Sequence, residues 1–145
     1  TDTLAIEGHA SLFGLADLGG DVVARGAFAA SLAARRTIPM LFQHDPSEPI
    51  GVWTAITEDA RGLKVRGEIL TTGARGRAAA ALVRRGAIDG LSIGFRTRSA
   101  RPREVRGRVL TEIDLWEVSI VTFPMLPQAR LRLVAPLAGR ARVAA

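Results

Sequence analysis

From Leu63 to Ile69 the chain alternates without a break. Leu63, Val65, Gly67 and Ile69 fall on one side, Lys64, Arg66 and Glu68 on the other. A period of two marks a strand with one face in a core and one in solvent. A looser alternation predicts an opening strand over Thr3–Phe13, with Leu4 and Ile6 on the inner face. Val22 and Val23 make a short β-branched step, and Ile38–Gln43 is an apolar run of strand length. Ile50–Thr57 reads as a strand that buries Val52 and either Ala55 or Ile56. Gly90–Arg98 is another. Arg108–Phe123 is one long strand or a bent pair, ended by Pro124 and Pro127.

Helical spacing occurs twice. Gly26–Arg36 places Phe28, Ala29 and Leu32 on one face, with Arg35 and Arg36 in the last turn, where cations suit the helix dipole. The alanine-rich Gly76–Arg85 stops at Gly86. Leu18–Asp21 and Glu58–Gly62 are turn signals, His44–Pro49 is a loop bounded by prolines, and the basic stretch around Pro102 is a loop or hairpin tip. About six strands with two inserted helices do not alternate as a doubly wound sheet requires. The pattern predicts a β-rich α+β fold, a mostly antiparallel sheet, closed or half-closed, flanked by helices. Residues 1–132 form a single domain in this reading. The tail 133–145, rich in Ala, Arg and Gly, is expected to be flexible.

Composition narrows the chemistry. The 145 residues contain no cysteine, which excludes disulfides and thiolate catalysis. No uncharged run approaches the ~20 apolar residues of a spanning helix, and Thr1-Asp2-Thr3 lacks the basic start of a signal peptide. The net charge is +6, and Lys64 is the single lysine among 20 basic residues. Only Arg96–Arg108 is dense, and few aromatics accompany it, so a stacking platform for nucleic acid is not expected. The charge suits solubility and an acidic partner.

There are two histidines. His9 lies in the opening strand. His44 follows an apolar strand and opens a loop, a position that fixes the ring yet leaves one face open, as a general base needs. A partly exposed loop histidine fits the same pattern. Of six serines, Ser92 is singled out by Asp89-Gly90-Leu91-Ser92-Ile93-Gly94-Phe95. Apolar neighbours anchor it, and the glycines are expected to open the backbone to substrate and free an N–H for an oxyanion. No strand-turn-helix follows, so an α/β-hydrolase elbow is not expected. A serine on the polar side of an edge strand is the plainer alternative. A third group to orient the histidine is available in Glu112, Asp114 and Glu117. Glu117, set among Leu115, Trp116, Val118 and Ile120, needs a partner, either His44 or one of the arginines. No metal-ligand spacing, phosphate loop or dinucleotide fingerprint is present.

Three ordered blocks then carry a resemblance. They are Gln43-His44-Asp45-Pro46 with Pro49-Ile50-Gly51-Val52-Trp53, Gly90-Leu91-Ser92-Ile93-Gly94-Phe95, and Leu115-Trp116-Glu117-Val118-Ser119-Ile120-Val121-Thr122-Phe123-Pro124. With Ala10-Ser11-Leu12-Phe13-Gly14, they resemble the prohead proteases of tailed phages from about Gly8 to Arg130. The resemblance implies a bent antiparallel β-barrel of about six or seven strands flanked by helices, like that of herpesvirus assembly proteases. It implies a serine endopeptidase with Ser92 as nucleophile, His44 as base and Glu117 as the third member. Asp114 is the fallback third member, and His9 a remote one. Ile93 and Gly94 are the oxyanion and substrate-proximal positions. No cofactor and no metal is implied. The implied partners are the major capsid protein, its scaffold segment and a second copy of the chain in a homodimer. The implied place is the assembling prohead in the host cytoplasm, away from membranes. One departure is Pro124-Met125-Leu126-Pro127, where the family commonly has P-A-N-P. The ending soon after Arg130 fits a trimmed form. The rival readings are an idle capsid-interior or scaffold-like protein with the same fold, a DNA-binding module built on Arg96–Arg108, and another hydrolase on a similar barrel.

Overall fold

The computed structural model describes residues 2–134. The strands are β1 (Thr3–Leu12), β2 (Val22–Val23), β3 (Pro39–Phe42), β4 (Gly51–Glu58), β5 (Gly62–Leu70), β6 (Gly90–Pro102), β7 (Arg108–Val121) and β8 (Leu131–Leu133). Two helices interrupt them, α1 (Ala29–Ala33) and α2 (Ala74–Arg84). One sheet runs β2-β7-β3-β4-β5-β1-β8, with β6 also on β7. It is mixed rather than antiparallel throughout, because β7 takes both β2 and β3 in parallel. The sheet is not closed. At its ends a single bridge joins Gly90 to Arg130.

The alternation of β5 is fully expressed: Leu63, Val65 and Ile69 are inaccessible to solvent and pack with Ile6, Met40, Leu91 and Ile120 in one core. β4 departs from expectation. Thr54 is an extra residue opposite the Gly67/Arg66 step of β5, so the phase shifts within the strand. Trp53 therefore turns toward the core, and its indole N–H donates to the Val118 carbonyl at 3.2 Å. Val52 points outward, 46% exposed, and Ala55 is exposed too, whereas the expected alternative Ile56 packs half-buried against the core.

α1 is much shorter than the Gly26–Arg36 span. Glu58 accepts the N–H groups of Gly26 and Phe28 at 3.1 and 2.8 Å, holding that turn outside the helix. At the other end Arg35 adopts φ 54°, which stops it. The short helix still has a use. Its buried Ser31 hydroxyl accepts the N–H of Leu115 at 2.9 Å. Beside that point Trp116 bulges out of β7, so that Phe95 faces Leu115 while Gly94 faces Glu117.

Leu133 belongs to the sheet rather than to a tail, since it pairs with Ile6, and just beyond β8 the Val134 N–H reaches the Ala5 carbonyl at 3.1 Å. The expectation for the rest of the tail lies outside the described residues.

Candidate active site

The site forms where β3 ends beside the C-terminal end of β7. Gln43 and His44 both adopt left-handed backbone, with φ 56° and 62°. Such φ values cost about 1–3 kcal/mol at a non-glycine residue and persist only where the surroundings hold them. Here they are held from several sides. The Gln43 N–H donates to the Ile120 carbonyl at 2.9 Å. Its side-chain amide donates to the Thr122 hydroxyl at 2.6 Å and accepts the Thr122 N–H at 3.1 Å. The His44 N–H donates to Ser119 Oγ at 3.1 Å. Beyond it, Asp45 takes the Ser47 N–H and hydroxyl, and Arg75 at the start of α2 bridges Asp45 at 2.8 Å and Glu48 at 3.5 Å. Those Ser47 hydrogen bonds and the Arg75 charge hold the Asp45 carboxyl below its usual range.

These restraints aim the imidazole at Glu117. His44 Nδ1 lies 2.5 Å from Glu117 Oε2. The other carboxylate oxygen, Oε1, accepts the Ser119 hydroxyl at 2.7 Å. The Glu117 side chain is only 13% exposed. A carboxylate in so dry a place requires partners, and it has both. Because a carboxylate accepts, Nδ1 carries the proton, and Nε2 is the ring nitrogen left with a lone pair.

Ser92 stands across the β6–β7 ladder from Ser119, and Gly94 across from Glu117. Directly opposed residues share a face of a sheet, so Ser92, Gly94, Glu117 and Ser119 lie on one side. Ser92 is nearly buried. With His44 it lines a cavity of about 500 Å³ whose walls are mostly apolar, among them Leu91, Ile93, Phe95, Leu110 and Phe123.

The flanking glycines do something other than open the backbone. A Cβ on Gly90 would lie 2.6 Å from the Val121 carbonyl oxygen and 2.8 Å from Pro124 Cδ. On Gly94 it would lie 2.2 Å from Glu117 Oε2. Gly90 thus permits close packing, and Gly94 leaves room for the carboxylate to lie over the strand. Ile93 lines the cavity, whereas Gly94 is not among its lining residues.

The other candidates are engaged elsewhere. Asp114 pairs with the Arg36 guanidinium and the Trp116 indole N–H, and these contacts, the arginine first, hold its carboxyl below the usual range. His9 Nε2 lies 2.8 Å from an Asp59 carboxylate oxygen at the β4–β5 turn. Within the dense basic stretch, Arg103 and Arg106 bind the Gly20 and Leu18 carbonyls, and Arg108 pairs with Asp21 at 2.9 Å. No group of three or more metal-ligating side chains occurs among the described residues, and no described helix is long and apolar enough to cross a membrane.

Sequence reasoning left Ser119 and Gln43 without roles. For Ser119 the available signal was its spacing, two residues beyond Glu117 in a strand and hence on the same face.

Similar proteins share this arrangement of chain. The bacteriophage T4 capsid assembly protease superposes with a TM-score of 0.64 at 16% identity, over 81% of this chain and 80% of that one. KSHV protease in complex with a hexapeptide phosphonate inhibitor superposes with a TM-score of 0.60 at 14% identity, over 92% of this chain and 66% of that one. Varicella-zoster virus protease gives 0.59 at 15% identity, over 93% and 65%. At such identities the likeness is one of fold. In sequence, the prohead protease of Enterobacteria phage HK97 is 37% identical over 138 residues, which are 92% of this chain and 61% of that protein. The chain thus spans about three fifths of the length of this relative. Residues 1–138 match the caudovirus prohead serine protease family, and the chain belongs to that family.

Proposed function

We propose that the chain is a serine endopeptidase of prohead maturation, with Ser92 as nucleophile, His44 as general base and Glu117 as the group that orients the base. The observation that carries this reading is the Nδ1 contact of His44 with Glu117 at 2.5 Å, in a cavity that His44 shares with Ser92. The carboxylate holds the tautomer whose Nε2 can accept a proton and stabilises the imidazolium that results. Nε2 takes the Ser92 proton as Oγ attacks a peptide carbonyl, then passes it to the leaving amine. Backbone N–H groups at Ile93 and Gly94, or in the turn Pro124–Arg130, hold the oxyanion. Ile93 is the stronger of the first two, since it lines the cavity.

The substrate in this reading is the scaffold segment of the major capsid protein together with the chain itself, cut inside the assembling prohead in the host cytoplasm. An acidic scaffold suits the net charge of +6. The working form is a homodimer. In this reading the open sheet is a bent barrel whose closure starts at the Gly90–Arg130 bridge, where β6 meets the residues that lead into β8 through Leu91 N–H to the Ala129 carbonyl at 2.9 Å and Leu131 N–H to the Asp89 carbonyl at 2.8 Å.

The test is co-expression with the capsid protein, followed by its mass. Ser92→Ala and His44→Ala should leave it uncut while the protease still folds. A serine-directed phosphonate should label wild-type protein at Ser92. Processing that survives in Ser92→Ala removes the nucleophile assignment, and absence of both labelling and processing in the wild type favours the idle reading.

A further inference from the structure

Glu117 and His44 meet at one more residue. Ser119 is wholly buried. A hydroxyl has one proton to give and two lone pairs. Ser119 gives its proton to Glu117 Oε1 at 2.7 Å and accepts the His44 N–H at 3.1 Å. It is also the cross-strand neighbour of Ser92. One buried oxygen is therefore bonded to the acid's side chain and to the base's backbone, directly opposite the nucleophile.

We propose that Ser119 is a positioning residue of this site. Its hydroxyl fixes the carboxylate so that Oε2 is presented to His44 Nδ1, and it helps hold His44 in its left-handed backbone. Both consequences act on the same contact. If Oε1 loses its donor, the carboxylate is free to rotate, and if the His44 N–H loses its acceptor, the ring's attachment relaxes. The inference rests on the function proposed above for its catalytic consequence, but the contact it describes can be measured without turnover.

Two variants test it. Ser119→Ala removes the hydroxyl. Ser119→Cys keeps the side-chain volume with a far weaker hydrogen-bonding group. In wild type, long-range ¹H–¹⁵N correlation spectra should show neutral His44 as the single Nδ1–H tautomer. In both variants His44 should show mixed tautomers, while His9, bound to Asp59, keeps its wild-type signals. Labelling of Ser92 by the phosphonate should slow by roughly 10–100-fold, the size expected when a hydrogen bond to a charged group is lost. In a Glu117→Gln background the same substitutions should add almost nothing, because both routes act on the contact between His44 and the Glu117 carboxylate. An unchanged His44 tautomer in the variants overturns the proposal, as does a labelling loss that adds in full to that of Glu117→Gln. Wild-type Ser92 that resists the phosphonate sinks the functional reading instead, and the tautomer of His44 still decides the role of Ser119.

Discussion

Gly94 stands opposite Glu117 in the β6–β7 ladder, and the Glu117 side chain occupies the volume that any Cβ at Gly94 would need. A Cβ there would sit 2.2 Å from Oε2, the oxygen that meets His44, and 2.7 Å from Cγ and Cδ. The carboxylate, rather than the strand, is the part able to give way. Gly94→Ala should therefore fold and yet displace Glu117 from the imidazole. Loss of the group that fixes the histidine tautomer costs up to ~10⁴ in kcat in the serine protease triad. A partial displacement should cost on the order of 10–10³. Activity and melting temperature, measured on the same preparation, check this. A Gly94→Ala protein with wild-type turnover would show that the Glu117 contact is dispensable.

The two carboxylates considered for the third position separate cleanly. Glu117 faces His44, whereas Asp114 is held by Arg36 and Trp116. Glu117→Gln should cut turnover by orders of magnitude with little effect on KM, because it removes help given mainly in the transition state. Asp114→Asn should leave turnover nearly unchanged, because Asp114 meets Arg36 and Trp116 and not His44. The reverse ranking would reinstate Asp114.

How much of this was readable beforehand depends on what the signal was. Long alternations and chain-stopping residues are local, so β5, β7 and the end of α2 at Gly86 follow from them directly. The phase of β4 does not, because the bulge at Thr54 answers to the packing of Trp53 under β7. The parallel pairing of β3 with β7 likewise carries no local mark. Ser92, His44 and Glu117 were readable as residues. The glycines that flank Ser92 are legible only as conspicuous. Gly94 looked like open backbone and is instead room for a side chain 23 residues away in sequence, a relationship that only the strand register reveals.

The paired left-handed residues before the site offer a third test. Gln43 answers Thr122 twice, once as donor and once as acceptor. Gln43→Ala should remove both bonds and loosen the step that orients His44. About 1–3 kcal/mol of stability should go, at roughly 0.5–1.5 kcal/mol for each of the two hydrogen bonds. Turnover should fall more than stability alone explains, because less of the folded protein holds the imidazole against Glu117. Urea unfolding and turnover at a temperature well below the melting point separate the two effects. Equal turnover per folded molecule would mean that the step is held without Gln43.

The cavity predicts substrate preference. Leu91, Phe95 and Leu110 contribute to an apolar space of about 500 Å³ beside Ser92. Burying a leucine or phenylalanine side chain contributes about 1.5–3 kcal/mol. Peptides with a large apolar side chain close to the cut bond should therefore be hydrolysed faster than the same peptides with aspartate there, by about one to two orders of magnitude in kcat/KM. Val23→Trp, which fills the space from β2, should erase that advantage while sparing substrates with small side chains. A peptide panel in which Asp and Leu score alike would remove the cavity from the specificity argument.

The remaining histidine predicts a pH dependence outside the active site. Asp59 is held at a pKa of about 2, against an ordinary 3.8, first by its hydrogen bond with His9 and then by the N–H groups of Gly62 and Arg61, with partial burial opposing. The folded chain therefore prefers the ionised carboxylate more strongly than the unfolded chain does. A group with a depressed folded value stabilises the fold in full above its unfolded value and loses that contribution as pH falls through the folded one. The window is thus from about pH 4 down to about pH 2. Asp59 is 41% exposed, so screening keeps its contribution modest and makes it salt-sensitive. Urea unfolding across this window should show a slope for wild type that is shallower in Asp59→Asn and in His9→Gln. The site itself should be unaffected, since neither residue is among those lining the cavity of Ser92 and His44. Identical slopes in all three proteins would mean that the His9–Asp59 pair contributes nothing to the fold.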